Sequence, residues 1–359
     1  MSEQALFAVL RRYSYLAPPN RFEFPQDIAL GRLQEFLVEK ILHNDLLTTY
    51  APSAQYQKTF WRRVIDYLEK RSQEACGKDP DFELSEEIYD HYVELLHSPV
   101  DGDGSLLRGL VPSRSFVTYH WQPPGIPGAQ SYITTTLLES RNMIESGTTG
   151  LRTWTAAFFL AQYLLDNPET VLGKSILELG SGIGFMGIVI ASLQVLCRAQ
   201  DMPLPKLWLT DVDETVLLTC RRNLELPCNL SFSHDAVKTV RIDWFEALDD
   251  IAAPRLQSII CEEMDPELII GSDIVFDPHL IRPLLATVKL AMGGSRKVAI
   301  FAVTVRNEAT ISNFLSSAQD MGLDVEDVPY VESRNGWILP NDVVEDISSV
   351  RLLKFSARR

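Results

Sequence analysis

The chain is short of cysteine in any useful arrangement. Its five sulfurs, at positions 76, 197, 220, 228 and 261, are an odd and widely spread set with no C-x-x-C. That pattern is neither a disulfide framework nor a zinc site. The six histidines show no ligand spacing either, so no metal is expected. Long hydrophobic runs are also missing. A membrane span needs roughly 18 uninterrupted apolar residues, and the most apolar stretch, Phe185 to Cys197, already carries Ser192 and Gln194. No membrane partner is expected. Positive charge is scarce: 33 Lys and Arg stand against 48 Asp and Glu, a net charge of −15. A surface of that sign repels phosphate backbones, which argues against direct nucleic-acid binding. The amino terminus has an early glutamate, Glu3, and only a short apolar stretch, so it does not read as a secretory signal. Together these absences give the expectation of a reduced, cytoplasmic protein.

What remains is a globular composition, 46% hydrophobic and 23% charged, over 359 residues, enough for two domains. The first hundred residues read as helices. Apolar positions recur every three or four residues in Ile28, Leu30, Leu33, Phe36, Leu37 and Ile41, and again in Phe60, Val64, Ile65 and Leu68. The turn-rich stretch Ser98–Ser105 then marks a boundary, giving a helical domain over 1–105 and a second domain over 106–359. The second opens on two β-branched and aromatic runs, Phe116–Trp121 and Ser131–Thr136, expected to pair as a hairpin. A helix follows from about Thr153 to Leu165.

Strands and helices then alternate. Strands are expected at Ser175–Leu179, Leu207–Thr210, Thr239–Ile242, Leu268–Phe276 and Lys297–Val305, with helices between most of them. Val325–Val331 and Val350–Ser356 follow with no helix between. Alternation of this kind predicts an α/β fold with a seven-strand doubly wound parallel sheet. The helix-less last pair is expected to break the parallel pattern as an antiparallel edge hairpin.

The first strand ends in Ile176-Leu-Glu-Leu-Gly-Ser-Gly-Ile-Gly-Phe-Met-Gly187. Glycines at a strand-to-helix turn let the backbone bend sharply and approach a ligand closely. The same run contains G-x-G-x-x-G at 182, 184 and 187, which also suits a nicotinamide dinucleotide, though the pattern alone is weakly specific. Glu178 favours another ligand, since a carboxylate two residues before Gly180 suits a cation and opposes a pyrophosphate. The second strand leads into Asp211, placed for the hydroxyls of a ribose. A ligand with both a ribose and a cationic amino-acid portion is S-adenosylmethionine.

On these residues the sequence resembles the seven-strand class I methyltransferases, whose first two motifs are similar to E-L-G-S-G-I-G-F-M-G and L-T-D-V-D here. Thr149-Gly-Leu-Arg-Thr-Trp154-Thr-Ala-Ala157 is similar to the G-x-x-x-W-x-A-A segment of the non-histone protein lysine methyltransferases, which implies a cofactor-site role for Trp154. Ile242-Asp-Trp244 is similar to a segment that would set Trp244 beside the adenine. Core packing is the alternative for either tryptophan. Ser272-Asp-Ile-Val-Phe276 is similar to their D-x-x-Y motif, but the last position is Phe276, which lacks the phenol hydroxyl. Within that group, Phe301-Ala-Val-Thr-Val-Arg-Asn-Glu308 and the helical front domain most resemble the elongation factor 2 lysine methyltransferases. Over residues 1–100 the resemblance is looser. Its aromatic, basic stretch Tyr56–Arg63 reads either as an interaction surface or as an amphipathic helix facing its own core.

The resemblance implies a monomeric protein-lysine N-methyltransferase acting on translation elongation factor 2. Its helical domain would recognise substrate or brace the fold. A neutral lysine amine would attack the methyl in line, with catalysis mainly by positioning. Asp273 would accept a hydrogen bond from the amine, and Phe276 would offer a π face to the growing ammonium. Trp154, Glu178, Gly180, Ser181, Gly182, Asp211, Trp244 and Ser272 would line the cofactor. Rival expectations are a methyltransferase of another protein or a small molecule, a nicotinamide-dependent oxidoreductase, and a non-catalytic binding protein on the same fold.

Overall fold

A computed structural model describes residues 2–74, 82–97, 114–123, 132–140, 142, 145, 148–199, 202–293, 297–329, 338 and 349–358. The expected boundary at Ser98–Ser105 lies outside them. The chain divides into two compact units, Met1–Tyr119 with Thr136–Met143, and His120–Thr135 with Ile144–Arg359.

The first unit holds helices α1 (Ser2–Ser14), α2 (Leu30–Leu37), α3 (Asp45–Thr49), α4 (Ala54–Glu74) and α5 (Glu86–His97). The apolar spacing of α4 puts Tyr56, Phe60, Trp61, Val64, Ile65 and Leu68 on one buried face. Phe60 sits at the centre of an aromatic cluster, its ring 4.5 Å from Tyr13, 5.1 Å from Phe22 and 5.2 Å from Trp61. The aromatics of Tyr56–Arg63 therefore face their own core, while Arg62 and Arg63 point outward. Asn44 caps α3, its side chain accepting from the Leu46 and Leu47 amides.

Two strands, β1 (Arg114–Trp121) and β2 (Ile133–Ser140), form a sheet of their own. The second runs four residues past its expected end at Thr136, and Ser131 lies outside the described residues. Trp121 Nε1 donates to Thr135 Oγ1 at 3.0 Å, which satisfies a buried indole.

The second unit continues with α6 (Thr155–Asp166), β3 (Ile176–Leu179), α7 (Phe185–Leu196), β4 (Leu207–Asp211), α8 (Glu214–Leu224), β5 (Val237–Arg241) and α9 (Ala253–Ser258). It ends with β6 (Leu268–Ser272), α10 (Ile281–Met292), β7 (Val298–Thr304), α11 (Glu308–Asp320), β8 (Leu323–Asp327) and β9 (Val350–Ala357). The seven strands β3 to β9 form one sheet in the order β5-β4-β3-β6-β7-β9-β8. Strands β3 to β6 are fully or nearly continuous apolar runs because helices cover both faces of the sheet, β5 excepted. Leu177, Leu179, Ile269, Phe301, Leu353 and Phe355 contribute to the core along it.

The last two strands pair antiparallel at the sheet's edge as expected, though only one of them breaks the parallel pattern. Only β9 runs against the others: it inserts between β7 and β8 and is antiparallel to both, from Val298 opposite Ser356 to Thr304 opposite Val350. Strand β8, at the edge, runs with the rest. Its Asp324, Glu326 and Asp327 are exposed and pair across to Arg358, just past the last strand, and to Lys354 and Arg351 within it. Such pairs add little stability each, but charge on an edge strand discourages pairing with other chains.

Candidate active site

The sheet order reverses between β3 and β6, and at such a switch point the loops after adjacent strands part to leave a crevice. A cavity of about 330 Å³ lies there. All ten residues singled out from the sequence line it: Trp154, Glu178, Gly180, Ser181, Gly182, Asp211, Trp244, Ser272, Asp273 and Phe276.

The glycine loop after β3 is stitched to the end of β4. Ser181 N–H donates to the Thr210 carbonyl at 2.8 Å, and Thr210 N–H donates back to Ser181 Oγ at 2.9 Å. Gly180 has φ +67°, and a Cβ there would stand 2.7 Å from Ile274 Cγ2, so both backbone and space demand glycine. The Trp244 ring lies beside the same point, 3.6 Å from where that Cβ would be. Gly182, at φ +54°, passes so close to Gly150 that a Cβ would meet its carbonyl oxygen at 3.0 Å.

Glu178 is 1% exposed, and its Oε2 is buried with no hydrogen-bond partner. A buried carboxyl with one oxygen left unpartnered resists ionisation. Burial raises the Glu178 carboxyl to about 8; a Ser181 hydrogen bond opposes the rise and the Asp211 charge adds to it. Asp211 is also raised, by burial, against the lowering pull of backbone N–H groups at Asp213, Gly182 and Val212. Its Oδ2 accepts from Gly182 N–H at 3.2 Å and its Oδ1 from Asp213 N–H at 3.1 Å. The carboxylate keeps acceptor capacity for a ligand.

Trp154 precedes α6 and donates from Nε1 to the Thr149 carbonyl at 3.1 Å. Two guanidinium groups stand over its ring, Arg306 at 5.4 Å and Arg152 at 5.9 Å from the centroid. Trp244 opens a short 3-10 helix, Trp244–Leu248, capped by Asp243 accepting from Phe245 N–H. The third strand of the alternation was expected to reach Ile242; it ends at Arg241, so Trp244 stands clear of it.

The strand expected over Leu268–Phe276 stops at Ser272, because Asp273 turns left-handed at φ +56°. That conformation costs a non-glycine residue of order 1–2 kcal/mol and persists only where the surroundings hold it. Here Asp273 N–H donates to the Ala302 carbonyl at 2.8 Å. The turn brings the buried carboxylate to the cavity and leaves Phe276, 53% exposed, lining it as well. The Asp273 carboxylate already has a partner within the chain. Arg306 forks onto it, Nη1 to Oδ1 at 3.0 Å and Nη2 to Oδ2 at 2.5 Å.

Arg306, Arg152, Asp243 and Phe245 were not singled out as site residues. Arg306 stands inside the Phe301–Glu308 run that carried part of the resemblance, and Arg152 inside the segment around Trp154, so both lay within view without a signal of their own.

A family profile described as lysine methyltransferase matches residues 135–321 of the chain. Among curated proteins, the chain is 28% identical to the protein-lysine N-methyltransferase EFM3 of Chaetomium thermophilum, over 87% of each. It is 26% identical to the human protein-lysine N-methyltransferase EEF2KMT, over 86% of this chain and 83% of that one. With the EFM3 of Saccharomyces cerevisiae the identity is 24%, over 76% and 75%.

Proposed function

The chain belongs to the lysine methyltransferase family, and from that premise we propose that it methylates a lysine of translation elongation factor 2. It is a protein-lysine N-methyltransferase, and its methyl donor is S-adenosylmethionine. The substrate reading is supported by the Phe301–Glu308 run and the helical amino-terminal segment, which resemble the enzymes of that factor. The reading carries with it a monomer working in the cytoplasm. Among the described residues no helix is long and apolar enough to cross a membrane.

One observation carries the site: a single cavity gathers a buried carboxyl with one unpartnered oxygen, a glycine cradle, a strand-end aspartate and a second carboxylate held at the end of β6. These residues fit the cofactor. Glu178 has a buried oxygen with nothing to bond, as a site for a cationic amino-acid portion requires. Asp211 keeps lone pairs for ribose hydroxyls, and the glycines at 180 and 182 hold the backbone open where side chains would intrude. Trp154 and Trp244 supply aromatic walls.

When bound, S-adenosylmethionine supplies an electrophilic methyl group on a sulfonium sulfur. The chain's own residues prepare the acceptor. Asp273 accepts a hydrogen bond from the incoming amine and orients its lone pair. Phe276 faces the ammonium as it forms, a cation–π contact worth about 1 kcal/mol or more once water is excluded. It offers no hydroxyl to the amine, so orientation falls to the carboxylate.

The test uses labelled S-adenosylmethionine and a methylation-deficient extract beside purified elongation factor 2. A single labelled band at the factor's size is the expected result, and labelling of some other protein would reject the factor as substrate. Asp273→Ala should abolish labelling while calorimetric cofactor affinity stays within about threefold of wild type. A variant that labels at the wild-type rate would remove Asp273 from the mechanism.

A further inference from the structure

Arg306 joins two parts of the cavity wall that come from distant elements. Its backbone is anchored between β7 and α11: Val305 N–H donates to the Ser349 carbonyl at 2.7 Å, and the next residue, Asn307, caps α11 through Ala309 N–H at 2.8 Å. From there the side chain crosses to the end of the neighbouring strand β6. It forks onto both oxygens of Asp273 and lies over the Trp154 ring. An arginine fork fixes a carboxylate in plane, which a point charge cannot do. The carboxylate is almost fully buried, with its side chain 4% exposed, while that of Arg306 is 47% exposed.

This arrangement answers a chemical problem. The reaction needs a lysine amine with a free lone pair, yet lysine in water is protonated at neutral pH. A buried carboxylate alone would favour the ammonium, since an opposite charge nearby stabilises the charged form. A guanidinium already paired with that carboxylate cancels the bias and adds a like charge close to the entering nitrogen. Each carboxylate oxygen has a second lone pair, so the amine can still be oriented. Arg306 meets the cavity through Asp273 and Trp154 and does not line it itself; besides Asp273, the charged groups that line it among the described residues are Arg152, Glu178, Asp211 and Asp243. Arg152 stands over the same Trp154 ring and acts with Arg306, whereas Glu178 and Asp211 line the cavity beside the glycine loop.

We propose that Arg306 is a positioning residue for methyl transfer: it holds Asp273 in place and charge-balanced, so that the acceptor lysine is bound as the free amine. The inference rests on the protein-lysine reading of this cavity.

The decisive readout is the acid limb of kcat against pH, which reports ionisation in the enzyme–substrate complex. It is measured on the full chain with elongation factor 2, for wild type, Arg306→Gln and Arg306→Lys. Arg306→Gln should move the limb up by about one pH unit, because the amine loses its cationic neighbour while the carboxylate stays. Arg306→Lys keeps the charge and loses the fork, so the limb should stay put while kcat falls about tenfold. An unmoved limb in Arg306→Gln overturns the proposal even if kcat drops, because a structural role alone lowers the rate at every pH. Should Arg306→Gln fail to fold, Arg306→Ala takes its place and the same limb is read: an upward move of about one pH unit supports the proposal, and an unmoved limb overturns it. If wild type labels a different protein in the extract, the same profiles are taken on that protein, and only the choice of substrate has failed. A wild-type enzyme that labels no protein overturns the substrate reading and this inference with it.

Discussion

Glu178 and Arg306 illustrate opposite limits of what single residues disclose. The charge of Glu178 and its distance from Gly180 are plain in the chain, and so is its fitness for a cationic ligand. Arg306 is equally visible, but its partner is 33 positions away, and no spacing rule connects the end of one strand to the end of another. Glu178 also makes a pH prediction. Its carboxyl is raised from an ordinary 4.5 to about 8 by burial. Between those values the folded protein holds a proton that the unfolded chain has released. Stability from this group is therefore complete at the acid end and declines as pH rises through the window. Melting of the ligand-free protein should drop from pH 5 to pH 8 by more in wild type than in Glu178→Gln. A cationic ligand favours the carboxylate form, so S-adenosylmethionine affinity should rise with pH across about 6 to 8, with proton release seen as a buffer-dependent heat. Identical pH slopes of melting and affinity in the two proteins would show that Glu178 does not titrate there.

At the scale of elements, alternating apolar strands and amphipathic helices made the doubly wound sheet readable, since each element's burial repeats along the chain. Strand order was not readable in the same way. Nothing in Val350–Ala357 says that it must insert between β7 and β8; that position follows from pairing on both sides, which is a property of three elements together. The end of β6 is not legible from the run of residues either, because Ile274 and Val275 continue an apolar stretch that the left-handed Asp273 interrupts. The glycine loop is where local sequence and tertiary need coincide most closely. Gly180→Ala would put a Cβ 2.7 Å from Ile274 Cγ2 at φ +67°. The backbone penalty of about 1–2 kcal/mol adds to the clash, and the Trp244 wall stands beside the same atom. The variant should melt several degrees lower and bind S-adenosylmethionine at least tenfold more weakly. Gly31→Ala, in α2 with open space around it, is the control and should do neither. Wild-type cofactor affinity in Gly180→Ala would mean that the loop does not support the ligand as described.

For the whole molecule, the charge of −15 is the property with the longest reach. Excess acidic charge raises the local concentration of cationic partners and speeds their encounter, and salt weakens this as the Debye length shrinks from about 14 Å at 0.05 M to about 6 Å at 0.3 M. Both molecules that must reach this cavity are cationic where it counts, the acceptor at its lysine and the cofactor at its sulfonium and ammonium. Encounter and chemistry separate in kinetics. Once the amine is in the cavity, Asp273 and Arg306 are paired at contact distance, and short, partly buried pairs are screened far less than exposed charges. The protein-substrate kcat/KM should therefore fall severalfold over that salt range while kcat changes by less than about twofold. The same measurement distinguishes surface from site. Arg306→Lys conserves net charge, so its salt dependence should parallel wild type from a lower kcat. A kcat/KM that is flat with salt would mean that the acidic excess is solvated surface with no part in drawing substrate. A kcat that falls as steeply as kcat/KM would mean that the charges governing the chemical step are open to solvent, contrary to the buried carboxylate at the end of β6.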